Sequence, residues 1–366
     1  MVTPQREPLG VIDAWIWARE FKDAEGQRPG LIKSTRRTEG YERVAEMAAT
    51  RPVYVADREG DIAATMRRAH ALGTPADWLV RAKHNRSLPK GGTLWAKVRA
   101  GEALGEIEFT LPGRAGHAER QVRQRLFAAR VTVSDGQGGR FAATCVMAQE
   151  FGAPQGVKPI EWRLLTNRAA ATLKSAVELI DWYRARWEIE IYFHVNKNGC
   201  RVEALQLVHI DRLELALAVY MAVAWRLARL LRLGRTYPDG SADALLSEDE
   251  WRGAYILAKK KPPPKPPTLR EAIRQIAMFG SFLGRKCDSE PGVKTIWLGF
   301  QRIMGFVQGI EFMRTLTVYI RVKDIKVAGQ AGPHIIRIQD RIFSGRFYAF
   351  CTQHTDIAVR NEQDGC

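Results

Sequence analysis

Tyr183, Arg186, Glu190 and Lys197 stand at offsets 0, 3, 7 and 14 within DWYRARWEIEIYFHVNKNG. On an α-helix turning about 100° per residue they fall at about 0°, −60°, −20° and −40°, so the four side chains share an arc of roughly 60° along one face. A carboxylate held between two cations and a phenol makes a poor core. The same set is suited to holding a metal ion against a phosphate backbone: the carboxylate supplies hard oxygen ligands, the guanidinium a bidentate fork and the ammonium a point charge. A solvated Arg–Glu pair at helical spacing is the ordinary alternative. The fourfold phase match inside an otherwise apolar, aromatic-rich helix argues against it. Glu188 would point about 140° away from Tyr183 and so off the stripe.

A second carboxylate stands in RPVYVADREGDI. Val53–Ala56 reads as a short apolar strand, Asp57 follows its C-terminal end, and a helix restarts over 60–71. Open α/β sheets place ligands at the carboxyl ends of strands. The alternative for Asp57 is an ordinary helix N-cap, with Asp61 four residues on. The order strand, Asp, helix, β-rich stretch, Glu-bearing helix suggests two carboxylates converging on one metal site. Two-metal phosphodiester chemistry needs such hard ligands on rigid elements, with the ions about 3.5–4 Å apart. Residues 77–86 (DWLVRAKHNR) read as a strand with a basic exit, Arg81 and Lys83 sharing one face. A solvated strand edge is the alternative there.

The elements that must position these residues come in two textures. Residues 37–50 read as a helix with Val44, Met47 and Ala48 inward, and 9–17 as a buried strand. From about 88 to 165 short alternating runs (GEIEFTL, LFAARVTV, FAATCVMA, IEWRLLT) are separated by turns such as SDGQGG, the pattern of antiparallel strands. Helices return with LKSAVELIDWYRARWEIEIYFHV, stopped by an αL cap at Lys197-Asn198-Gly199. A second long helix covers 210–233, with 213–225 reading as buried. KKKPPPKPP (259–267) is a stiff cationic linker. Helices follow at 268–284 and around 295–313, and the stretch from about 316 has strand-like runs.

The bulk numbers narrow the class. The chain has 366 residues, 46% hydrophobic, with no 18-residue apolar run, enough for two or three domains and without a membrane span. No apolar signal region opens it. Five scattered cysteines without a CxxC argue for reduced cytoplasmic thiols and against zinc. A net charge of +16 and a pI near 9.8, spread through every segment, favour nucleic acid over a membrane surface.

Taken together, DREGDI (57–62), KH (83–84), IEWRLLT (160–166) and the Tyr183–Arg186–Glu190–Lys197 stripe resemble bacterial DDE transposases of the insertion-sequence-4 family, the transposon-5-type cut-and-paste enzymes. Tyr, two residues, Arg, three, Glu, six, Lys is their signature, and the resemblance runs from about residue 8 to about 313. It implies an α/β fold: an RNase-H-like mixed-sheet core over 1–87 and 166–205, incomplete at its start. A β-rich insertion (88–165), a helical C-terminal domain (206–315) and an unassigned stretch (316–366) complete the organisation. By resemblance, Asp57 matches the second catalytic Asp and Glu190 the catalytic Glu, both ligating Mg²⁺ or Mn²⁺ in a two-metal site. Tyr183, Arg186 and Lys197 match the grip on the DNA end. Trp162 matches the position that stacks an extruded base, and Trp187 could do the same; core packing is the alternative for both. Arg81, Lys83 and His84 resemble the family's basic strand exit along the DNA.

The resemblance further implies double-stranded transposon-end DNA as partner, a homodimer or a heterodimer with a full-length transposase, and a bacterial cytoplasmic location at the nucleoid. The family's first Asp lies on a strand well upstream of DREGDI. Asp13 does not match it, so the expectation is a truncated copy lacking that Asp and inactive alone. The competing expectations are a non-catalytic DNA-binding or dimerising derivative acting as an inhibitor, and a generic RNase-H-like nuclease.

Overall fold

Strand β2 (Asp77–Arg81) takes part in two kinds of pairing. It lies parallel to β1 (Val53–Ala56), with Val55 opposite Leu79, and antiparallel to β6 (Glu161–Thr166), with Val80 opposite Leu165. β3 (Gly105–Leu111), β4 (Arg120–Ser134) and β5 (Arg140–Phe151) continue the sheet antiparallel, giving the order β1-β2-β6-β5-β4-β3. This computed structural model describes residues 1–14, 33–47, 50–111, 119–134, 137–285, 288 and 290–327.

Helices cover both faces of the sheet. On one face lie α1 (Lys33–Glu46), α2 (Ala63–Ala71) and α3 (Leu94–Arg99), burying Tyr41, Met66, Trp78, Leu94, Cys145 and Leu165 in one cluster. On the other lies α4 (Leu173–Ala185), whose Ala176, Leu179, Ile180 and Tyr183 pack on Leu79, Val146, Trp162 and Leu164. The long strand β4 serves both faces in turn. Its first half buries Val122, Gln124 and Leu126 and its second half Val131 and Val133, so the buried set changes parity without a break in the β4–β5 register. Cys145 and Cys200 are both buried and free, and burial pushes their thiols up to about 12 and about 11, which keeps them neutral.

A separate cluster holds the helices that follow. The C-terminal half of α6 (Ile210–Thr236), α7 (Glu248–Leu257), α8 (Leu269–Met278) and the start of α9 (Val293–Val327) pack around Leu230, Trp251, Ile276, Ile296 and Phe300. Capping boxes start α4 at Thr172–Ser175, α7 at Ser247–Glu250 and α8 at Thr268–Glu271. Gly299 lets α9 approach α8, because a Cβ there would collide with the Ile276 carbonyl oxygen. Residues Met1–Val307 form one compact unit; of the second, Gln308–Cys366, the structure describes the helical continuation of α9 to Val327. Among the described residues no helix is long and apolar enough to cross a membrane.

Several local expectations are corrected. The buried strand over 9–17 is not formed where described: residues 9–14 are irregular, Leu9 and Val11 are exposed, and 15–17 lie outside the described residues. Val2 instead bridges Pro8, and that segment is tied to α6 by Trp225 Nε1–H donating to the Pro8 carbonyl (3.2 Å) and by an Arg229–Glu7 pair (3.0 Å). In α1 the inner face is Tyr41, Val44 and Ala45 rather than Met47, which is exposed; Ala48 lies outside the described residues. The stretch 213–225 is not buried as a whole: Leu215 and Val219 are exposed, and burial begins at Ala224. The strand-like run 317–327 is helical in α9, and 328–366 lie outside the described residues.

The start of β2 is fixed by a buried carboxylate. Asp77 accepts from Arg51 (3.0 Å), Asn167 Nδ2 (2.6 Å) and Arg168 (2.8 Å). Burial works to raise its pKa, but the hydrogen bonds from Arg51, Asn167 and Arg168 outweigh that and hold it below its ordinary value of 3.8. A carboxyl whose folded pKa is depressed stabilises the fold above its unfolded pKa, and that contribution is lost as pH falls through the folded value. Asp77→Ala is therefore expected to lower the unfolding free energy by about 2 kcal/mol at pH 7. The variant should lose less further stability on acidification than the parent, by about the Asp77 contribution, which denaturant titrations at pH 7 and pH 3 measure.

Candidate active site

Asp57 follows β1 and opens a 3₁₀ turn, Arg58–Gly60. Its side chain accepts from the Glu59 amide (3.0 Å), so the N-cap geometry is real, and the carboxylate is also paired with Arg37 of α1 (3.3 Å). Arg37 reaches Glu59 as well (2.7 Å), while its carbonyl accepts from the Tyr54 hydroxyl (3.3 Å). Gly60 keeps the turn flat on the strand end, since a Cβ there would press into Ala56. The cap and a ligand role are compatible, because Asp57 remains about two-fifths exposed.

The turn closes on Asp61, whose side chain is fully buried. Its Oδ2 accepts from the amides of Lys83 (2.7 Å) and His84 (3.0 Å), and its Oδ1 pairs with Arg86 (2.6 Å). Sequence reasoning treated Asp61 only as a neighbour of Asp57, and it gave no signal for Arg37, twenty residues away. The four-residue spacing of the two aspartates was the one legible hint for Asp61.

The Tyr183–Lys197 stripe does not lie on one straight helix. α4 ends at Ala185, and the amides of Arg186, Trp187, Ile189 and Glu190 bond three residues back, at 3.0–3.2 Å, through an over-wound turn. α5 (Glu188–His194) follows, and then Val195–Gly199 widens into a π turn closed by the Cys200 amide on the Val195 carbonyl (3.0 Å). The αL residue that stops the run is Arg201 (φ 55°), not Gly199. Only part of the stripe therefore stays together. Tyr183 is buried in the sheet core with Arg186 over its ring (5.8 Å), and Arg186 pairs with Glu190 (3.3 Å). Lys197 pairs instead with Glu203 (2.8 Å). Glu190 is exposed, whereas Glu188 is buried toward Arg232 of α6 (3.5 Å). Burial pushes the Glu188 carboxyl up, against the pull of Arg232, Arg6 and Arg235. The apolar residues around the stripe divide: Ile189, Ile191 and Phe193 are exposed, whereas Val195 is buried and Tyr192 packs against the same helical core.

The remaining residues divide. Arg81 sits half-buried at the end of β2, reaching the Glu161 carbonyl (3.5 Å); Lys83 and His84 are exposed on the loop beyond it. Trp187 is 41% exposed in the turn between α4 and α5, able to offer a face. Trp162 is buried in the α4-side core, stacked on Phe109 (6.0 Å between ring centres, 14° between planes). As placed, its ring offers no face to an extruded base. Asp13 pairs with Arg43 of α1 (3.3 Å), which also holds Glu46.

Asp57 and Glu190 carry the hard oxygen donors that a divalent cation takes. Each is engaged by its own arginine, and among the described residues no three His, Cys, Asp or Glu side chains gather into a ligand set. The residues as placed do not fit a two-metal centre.

The two tryptophans are expected to behave oppositely. Trp162→Ala should lower stability by about 3–5 kcal/mol through the cavity it leaves, while Trp187→Ala should change stability by less than about 0.5 kcal/mol, as a surface substitution does. Thermal and denaturant unfolding of the two variants separate them.

Two matches to known families fit this geometry. Residues 31–226, more than half the chain, match the family described as Transposase DDE domain, and residues 222–319 match the Transposase Tn5 dimerisation domain. The first spans the sheet, Asp57 and the α4–α5 segment with Glu190; the second begins inside α6 and covers the helices through the start of the second unit. The mixed sheet with helices on both faces and a helical C-terminal region is the RNase-H-like architecture of that family, whose members bind DNA and depend on divalent metal. With the DDE domain covering most of its length and a dimerisation domain of the Tn5 type beside it, this chain belongs to the DDE transposases.

Proposed function

We propose that this chain binds double-stranded transposon ends through the surface around Glu190 and the basic loop after β2, and that it does not cleave them on its own. Arg186 and Lys197 grip phosphate, Lys83 and His84 track the backbone, and Trp187 supplies a stacking face for an unpaired base. The observation that supports this reading is the setting of the two carboxylates: Asp57 pairs with Arg37 and Glu190 with Arg186, and among the described residues no third acid joins either in a ligand set. Asp57 and Glu190 match the family's metal-ligating acids by resemblance alone; as placed, each is held by its own arginine and they do not build that centre. Two carboxylates, each beside its own arginine and without a third acid gathered to them among the described residues, are too few for the cutting centre. Pairing with a second copy, or with a longer transposase, falls to the 222–319 region, and such a complex would act as an inhibitor of transposition.

The test is direct. The purified chain is mixed with transposon-end duplex and Mn²⁺; the expected result is a mobility shift without nick or hairpin. Robust nicking that Glu190→Gln abolishes would overturn the proposal. Binding itself should weaken steeply with salt, because phosphate contacts release condensed counterions. Lys197→Ala should reduce the slope of log K against log salt by about 1, and an unchanged slope would remove Lys197 from the interface.

A further inference from the structure

We infer that Asp61 is a positioning residue for DNA binding, locking the basic loop after β2 to the turn that carries Asp57. The inference rests on the proposal that Lys83 and His84 meet DNA. The loop leaves the sheet where the Ala82 amide bonds the Arg163 carbonyl (2.7 Å), the last contact with β6. From there the amides of Lys83 and His84 have no strand to pair with, and both are taken by one oxygen of Asp61. Arg86, only 13% exposed, returns to the same carboxylate and also donates to the Asp61 carbonyl (3.3 Å).

The arrangement separates charge from position. The negative charge of Asp61 is matched inside the protein by Arg86, so it does not neutralise the two side chains it holds in place. Lys83 and His84 point to solvent, and neither has an ion pair with a carboxylate among the described residues. A loop whose backbone is already fixed loses less conformational freedom when its cations meet phosphate. Because Asp57 caps one end of the 57–61 turn and Asp61 closes the other, the lock also sets where those cations lie relative to Asp57.

The experiment is a double-variant cycle on the full chain, read as affinity for a fluorescent DNA duplex at fixed salt. Asp61→Asn keeps the volume and one acceptor while removing the charge. It is expected to weaken binding about tenfold in the parent but less than about twofold when Lys83→Ala and His84→Ala are already present, the coupling expected within one network. Hydrogen exchange should show the amides of residues 83 and 84 losing protection in Asp61→Asn. Equal losses in both backgrounds, or no loss in the parent, would overturn the inference. Should Asp61→Asn fail to fold, Arg86→Gln loosens the same lock, with the same non-additivity expected and the same additive result against it. If Lys83→Ala with His84→Ala leaves affinity unchanged, the proposed DNA contact fails instead, and the inference falls with it.

Discussion

The structure depends on where β6 lies. It is the strand between the parallel β1–β2 pair and the antiparallel β5–β4–β3 run, so both parts become one sheet through it. The joint is reinforced by side chains: the Thr166 hydroxyl donates to the Trp78 carbonyl (2.6 Å), and Asn167 accepts from the Trp78 amide (2.8 Å) while donating to Asp77. Trp162 and Leu164 face α4, and Leu165 faces the α1–α3 side. With β6 in register, α4 has a surface to lie on; without it, neither Tyr183 nor the residues that follow would have a fixed place relative to Asp57.

A chain of net charge +16 uses its acids in two ways. Buried carboxylates serve structure and are matched by arginine: Asp61 by Arg86, Asp77 by Arg51 and Arg168, Glu150 by Arg120, and Glu250 by Arg226. Removing one partner of such a pair leaves an uncompensated charge, so these positions are unforgiving. Asp57 and Glu190 also touch arginines, but at the surface, where an ion pair is worth about 0–1 kcal/mol and yields to a competing phosphate or cation.

Legibility in the sequence followed the range of the interaction. Period-two alternation found β3, β4, β5 and β6, because each pleat is decided by adjacent residues. Asp57 at the strand end and the DREGD turn were readable for the same reason. What escaped depended on distant partners. Arg37 reaches Asp57 from another helix, and the apolar run 213–225 looked buried because hydrophobicity does not reveal which neighbours cover it. Among the described residues, Leu215 and Val219 have none that bury them. Trp162 reads identically as a stacking residue or as core, and the ring of Phe109 stacked on it comes from a strand more than fifty residues away.

The stripe shows the same limit at the level of helical phase. A constant 100° per residue put four side chains on one face, yet the backbone tightens at 186–187 and widens at 195–199. The two anchors explain why. Tyr183 is buried in the sheet core, while Val195 is buried among the C-terminal helices with Leu227 and Leu230. One helical run must satisfy both cores, and a uniform phase need not point both anchors inward. The over-wound turn and the π turn absorb the mismatch, π turns being frequent at functional sites. Arg186 lies over the Tyr183 ring, and Glu190 falls between the anchors, so it is presented to solvent from a segment held at both ends.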